Sequence, residues 1–139
     1  MEYLGKENIT FTENEPILLQ FCWTNLLDVS NLGLLIEICS LDDVAQATYA
    51  LYGFYSGKQA ESAEITLKLD TTGLMDASYR MRYTFFEKNT FGVGLTADYI
   101  PGLCFTKETA NQGDTLLWQP KQWGYIQMPS PSIICIDRL

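Results

Sequence analysis

The first fact bearing on chemistry is an absence: a chain of 139 residues contains no histidine. The common serine–histidine and cysteine–histidine nucleophile systems are thereby removed. So is a mixed Cys/His zinc site, and Cys22, Cys39, Cys104 and Cys135 include no Cys-x-x-Cys pair. No phosphate-cradling Gly-x-x-x-x-Gly-Lys or Gly-x-Gly-x-x-Gly run occurs; Gly92-Val93-Gly94 lacks the third glycine and reads as a bend. Nothing in the chain would hydrolyse a nucleotide by itself. Glycoside hydrolysis needs two carboxyl groups flanking a bond. Asp42 and Asp43 are adjacent, so in a strand they would point opposite ways, and Glu13 and Glu15 flank a turn. A pair drawn from distant strands stays open. Asn111 to Asp114 offers oxygen ligands without a calcium-loop pattern. No cofactor and no metal are expected, and binding rather than catalysis is the expected work of the chain.

Charge narrows what could be bound. Seventeen acidic residues against nine basic ones give −8. Such a surface repels nucleic acid and anionic membrane, although solubility alone would account for the acidity. Residues 1–7 lack the basic start and apolar stretch of a signal peptide. No apolar run approaches the roughly 20 residues of a membrane span. A cytoplasmic location is therefore expected, and with it buried free thiols rather than any of the three disulfide pairings. Asn8-Ile9-Thr10 matches a glycosylation sequon, which in that compartment is chance. The opening also fits a domain excised from a longer chain.

The elements that must position any site are strands. Of the residues, 47% are hydrophobic, with eight Tyr, seven Phe and three Trp, a bias towards strands and enough for a proper core. Ile9 and Phe11 alternate with Thr10 and Thr12. Ile17, Leu19, Phe21 and Trp23 share one face, with Gln20, Cys22 and Thr24 on the other. Asn25 to Asn31 reads as a connection, after which Leu32, Leu34, Ile36 and Ile38 alternate inward. From Ser40 to Tyr55 a turn at Leu41–Asp43 and then a strand is the preferred reading. Helical spacing of Val44, Ala47, Thr48 and Leu51 keeps a helix open. After a turn at Ser56–Lys58, Ala63, Ile65, Leu67 and Leu69 face inward. Tyr79, Met81, Tyr83 and Phe85 then oppose Arg80, Arg82, Thr84 and Phe86. A turn over 88–92 leads to short strands at Val93–Tyr99 and Leu103–Lys107, separated by Pro101-Gly102. Thr109 to Asp114 reads as a polar loop, followed by strands at Trp123–Met128 and Ser132–Asp137. Eight to ten short strands broken by turn residues predict one all-β domain over residues 1–139. Its expected form is an antiparallel two-sheet sandwich, immunoglobulin-like or jelly roll. Its expected core holds Phe21, Trp23, Ile36, Ile38, Ile65, Leu67, Tyr79, Met81, Tyr83 and Phe105.

Two segments together carry a resemblance. Leu67-Lys-Leu-Asp-Thr-Thr-Gly-Leu-Met-Asp-Ala-Ser-Tyr-Arg-Met-Arg-Tyr83 leads through a loop to Asp98-Tyr-Ile-Pro-Gly-Leu-Cys-Phe-Thr-Lys107. Trp123-Gly-Tyr-Ile-Gln-Met-Pro129 has the form of a closing Gly-x-Val-x-Leu-Pro stretch. The pattern resembles the C-terminal domain of the ATPase subunits of polysaccharide ABC exporters, the Wzt type. The chain departs from it in carrying no ATPase domain, and in having Asp76-Ala77-Ser78 where Pro-Gly or Ala-Gly usually precedes the Tyr. The resemblance implies a cytosolic sandwich that recognises a polysaccharide for export without chemistry. It also implies transporter subunits as partners and, often, a strand-exchanged homodimer.

Sugar recognition needs aromatic faces and planar polar groups. The outward residues of the best-patterned strands offer Gln20, Glu37, Arg80, Arg82 and Phe86. Tyr52 joins them if Ser40–Tyr55 is a strand, and Trp118 stands in a loop-like stretch. Arg80 and Arg82 are two of only three arginines. The plainer alternative is a solvated face with cross-strand ion pairs, and Trp118 as a plug at the sandwich end. The rival function is a structural or interaction sandwich with no small ligand. The apolar Ser132–Asp137, after the Pro129-Ser130-Pro131 hinge, must dock somewhere, and a homodimer joined by a terminal strand is expected.

Overall fold

The computed structural model describes residues 2–3, 10–12, 15–89, 92–95, 100–108 and 119–137. Nine strands and one helical turn fall among them. They are β1 (Glu2–Tyr3), β2 (Thr10–Thr12), β3 (Ile17–Thr24), β4 (Val29–Ser40) and β5 (Ala45–Gly57), then β6 (Ser62–Leu69), β7 (Ala77–Asn89), β8 (Gly92–Leu95), β9 (Ile100–Glu108) and α1 (Pro120–Trp123). A three-stranded sheet runs β1-β3-β6. A six-stranded sheet runs β2-β9-β7-β4-β5, with β8 extending it alongside β7. The expected all-β, two-sheet sandwich is the fold found. Every ladder among the described residues is antiparallel except β2 with β9, which is parallel, Thr10 facing Thr106.

Alternation decides which side of each sheet turns inward. Ile17, Leu19 and Phe21 of β3 meet Leu34, Ile36 and Ile38 of β4 and Tyr79, Met81 and Tyr83 of β7 in one core, joined by Phe11 and Phe105. Trp23, Ile65 and Leu67, expected in that core, pack against it while staying half-buried. Edge-on rings fill the centre: Phe21 lies 4.9 Å from Tyr83, the planes at 87°. One end is closed by a polar bracket. Buried Asn25 accepts from Trp23 Nε1 at 3.1 Å and donates to Tyr55 Oη at 2.8 Å and to the Lys58 carbonyl at 2.9 Å. Asn25→Ala leaves these groups short of partners, an expected loss of about 1–3 kcal/mol in urea unfolding.

Several sequence expectations are corrected. β4 begins at Val29, inside the stretch read as a connection; β5 is the strand preferred for its stretch, but the turn after it lies at 58–61 and not at Ser56–Lys58. Pro101-Gly102 does not separate a pair of strands but lies within β9, where the register with β7 slips. Gly102 permits this, since a Cβ there would sit 2.4 Å from the Tyr83 ring. In place of a strand at Val93–Tyr99, β8 spans Gly92–Leu95, and 96–99 lie outside the described residues. The loop at Thr109–Asp114 lies outside them as well. Neither Trp123–Met128 nor Ser132–Asp137 is a strand. Pro120 opens a single helical turn ending at Trp123. Beyond it an isolated bridge, Leu74 with Ile126, ties the segment to the connection before β7. The cysteines are free, but only Cys39 is buried; Cys22, Cys104 and Cys135 are exposed.

Two core tyrosines, Tyr79 and Tyr83, and the half-buried Tyr49 that packs against the core tie stability to alkaline pH. Burial, with Asp70 nearby, pushes the Tyr49 hydroxyl up to about 12, and burial also raises Tyr79 and Tyr83. Each favours the neutral form in the folded chain. Their contribution is therefore full below the free-tyrosine value of about 10 and lost as pH climbs through the raised values. Unfolding free energy measured from about pH 9 to 12 should fall steadily above about 10; a flat profile would contradict this burial.

Candidate functional site

The outer face of the six-stranded sheet collects the candidate side chains. Register does the collecting, because directly opposed residues of paired strands share a face. Gly33, Leu35, Glu37 and Cys39 of β4 stand opposite Phe86, Thr84, Arg82 and Arg80 of β7. On the other side of β4, Thr48 of β5 faces Glu37 and Ala50 faces Leu35. Cys104 of β9 lies beyond Arg80. The face thus grades from an aromatic end through Leu35, Thr84 and Ala50 to a charged centre.

At the charged centre Arg82 Nη2 donates to Glu37 Oε2 at 2.6 Å. Both side chains are held between strands, Glu37 14% and Arg82 23% exposed. One step along β7, Arg80 Nη1 donates to Asp43 Oδ1 at 3.0 Å, in a far more open pair. Asp43 reads in the sequence as a turn residue and as a neighbour of Asp42, not as a partner of Arg80. Its positive φ of 62° is what bends the β4–β5 turn there, a conformation Asp tolerates and few residues share. Its role in the site could not be found without the turn's geometry. Ser78 and Thr106 continue the face with a hydroxyl pair at 2.9 Å.

At the aromatic end Tyr52 is 68% exposed and meets Phe86 edge-on, ring centroids 5.8 Å apart. Phe86 itself departs from expectation: it faces outward along β7 but is 1% exposed. Gly33 explains this. With no side chain there, the Phe86 ring lies down on β4; a Cβ at Gly33 would come within 2.3 Å of it. Tyr52 then covers one side. Phe86 serves as the floor under Tyr52 rather than as an open platform.

Two expected site residues are not part of this face. Gln20 lies on the outer side of the smaller sheet, where its amide donates to Glu64 Oε1 at 2.5 Å. Trp118 lies outside the described residues. Arg80, Arg82, Glu37, Tyr52 and Phe86 are brought together.

Among the described residues no group of three or more His, Cys, Asp or Glu is placed to hold a metal ion. No described helix is long and apolar enough to cross a membrane. The arrangement offers fixed hydrogen-bond donors and acceptors on the same sheet face as an exposed ring, which suits recognition.

An all-β sandwich with one open, polar and aromatic sheet face is the class of protein these features define. Within that class the fold is that of the Wzt C-terminal domain. The chain is similar to the crystal structure of the C-terminal domain of Wzt with a TM-score of 0.59, over 89% of this chain and 72% of that one, at 14% identity. No family model matches the sequence, and no curated protein matches it.

Proposed function

We propose that the chain is a non-catalytic carbohydrate-binding module that recognises a polysaccharide for export by an ABC transporter. The observation that carries this reading is the convergence of Arg80, Arg82, Glu37, Tyr52 and Phe86 on one sheet face. Tyr52 supplies the ring surface that stacks on the apolar side of a pyranose, and the fixed Arg–Glu pair supplies donors and an acceptor for neighbouring hydroxyls. The likeness in fold to a Wzt domain supports the transporter context. On this reading the chain is a single domain. It acts in the cytoplasm, at the inner face of the membrane through transporter subunits, and needs no cofactor.

Calorimetric titration with the surface polysaccharide of the source strain tests the reading. Arg80→Ala removes a half-buried group whose ion pair with Asp43 is open to water, so thermal stability should stay nearly unchanged while binding weakens by about 1.5–3 kcal/mol. A variant that binds normally, or a wild-type chain indifferent to every glycan, would instead favour an assembly module with no small ligand.

The same reading includes a homodimer. Ile133, Ile134 and Ile136 are 76%, 97% and 79% exposed, in a segment with no strand partner among the described residues of its own chain. Such a segment gains by burial against a second copy, whose long β5 lies at a sheet edge. Light scattering should give twice the chain mass for the intact protein and a single-chain mass for one ending at Met128. A single-chain mass for the intact protein at micromolar concentration would end the dimer proposal.

A further inference from the structure

We infer that the outer face selects uncharged glycans, and that Glu37, assisted by Asp43, sets this selectivity by neutralising the two arginines. The inference rests on the carbohydrate reading of the same face and names the class of ligand that face accepts.

A site that captures carboxylate- or phosphate-bearing polymers needs cations whose donors and charge are turned to the ligand. Here each arginine already faces a carboxylate of its own chain. The inner pair is built into the sheet: Glu37 and Arg82 are directly opposed across the β4–β7 ladder and meet at 2.6 Å. An anionic sugar approaching Arg82 would bring a second negative charge beside a carboxylate that has little water around it. Displacing Glu37 would leave that carboxylate half-buried without its cation. The outer pair, Arg80 with Asp43, repeats the arrangement one step along β7. Lys107 on neighbouring β9 adds nothing to the face, because it points inward, is buried and donates to the Thr71 carbonyl. The chain's −8 adds a repulsive field over the whole surface. For a neutral hexose the same pair is an asset, a donor and an acceptor fixed side by side for two adjacent hydroxyls. Selection of this kind works by repelling the wrong ligand as much as by holding the right one.

A glycan array carrying neutral polymers (dextran, galactomannan, galactan, laminarin) and anionic ones (alginate, polygalacturonate, polysialic acid) tests it. Wild type, Glu37→Gln and Asp43→Asn are compared at low and physiological salt. The wild type should bind a neutral polymer, with little salt dependence, and the anionic set at least about tenfold more weakly. Glu37→Gln should gain about tenfold or more on the anionic set, a gain lost as salt screens the unmasked arginine. Asp43→Asn, in the open pair, should show a smaller gain in the same direction and keeps the test decisive should Glu37→Gln fail to fold. Preferential wild-type binding of an anionic polymer overturns the inference and leaves the carbohydrate reading standing. So does neutral binding by variants that gain nothing on the anionic set. Binding of no polymer by any of the three proteins, the source strain's own surface polysaccharide included on the array, overturns both.

Discussion

Phe21→Ala is expected to lower folding free energy by about 3–5 kcal/mol, the usual cost of truncating a buried aromatic. Phe21 is 4% exposed at the middle of β3, and its ring meets Tyr83 at 4.9 Å and Phe85 at 5.9 Å, edge-on to both. Those two partners belong to the other sheet, so Phe21 is where the layers hold one another. Removing the ring loses transfer energy and two aromatic contacts. The neighbours are themselves anchored in the β7 ladder and cannot close the space. Urea unfolding followed by circular dichroism measures the loss. Phe21→Leu keeps most of the volume and should cost under about 1.5 kcal/mol. Equal losses for the two variants would mean that shape, not volume, governs the contact.

Gly33→Ala should be the most damaging single methyl on the outer face. The added Cβ would stand 2.3 Å and 2.5 Å from Phe86 ring carbons and 2.8 Å from the Leu51 carbonyl oxygen. The ring can move only by leaving its bed on β4, and the carbonyl belongs to the β4–β5 ladder. Overpacking of this kind typically costs about 1–3 kcal/mol. Because Tyr52 rests against Phe86, glycan affinity should fall together with stability. Combining Gly33→Ala with Phe86→Leu separates the two clashes. Partial recovery of the melting temperature would assign the recovered share to the ring and the remainder to the backbone contact. No loss in the single variant would show that the ring does not occupy this bed in solution.

The strands that carry the core were legible because each marks one buried face with a strict two-residue period. The alternating residues from Ile17 to Trp23, Leu34 to Ile38, Ile65 to Leu69 and Tyr79 to Phe85 all turn inward as the alternation dictates. Alternation says which residues face out but not from which sheet. Gln20 and Arg82 are both outward, yet they lie on opposite sides of the sandwich, a fact held in strand pairing alone. Asp43 was invisible for a related reason, since its reach to Arg80 depends on a turn. Phe86 was misplaced because its burial comes from what Gly33 lacks. The C-terminal error is of another kind. Ser132–Asp137 has strand composition, but a strand also requires a neighbour with unpaired backbone, and none among the described residues is aligned with it.

The parallel pairing of β2 with β9 has a consequence for how fast the chain can fold. Every other ladder of the larger sheet can zip from a nearer partner, whereas β2, at residues 10–12, waits for residues 106–108. On a ribosome, those partners emerge only after most of the chain has been made. Phe11, which packs edge-on against Phe105 at 6.1 Å, stays in water until then. Closing so long a loop carries a large entropic cost before any contact rewards it, which places this step late and makes it slow. The first strand of the larger sheet in sequence is thus the last to arrive, and the β9 edge it covers stays open to other chains from the moment it is made until that loop closes.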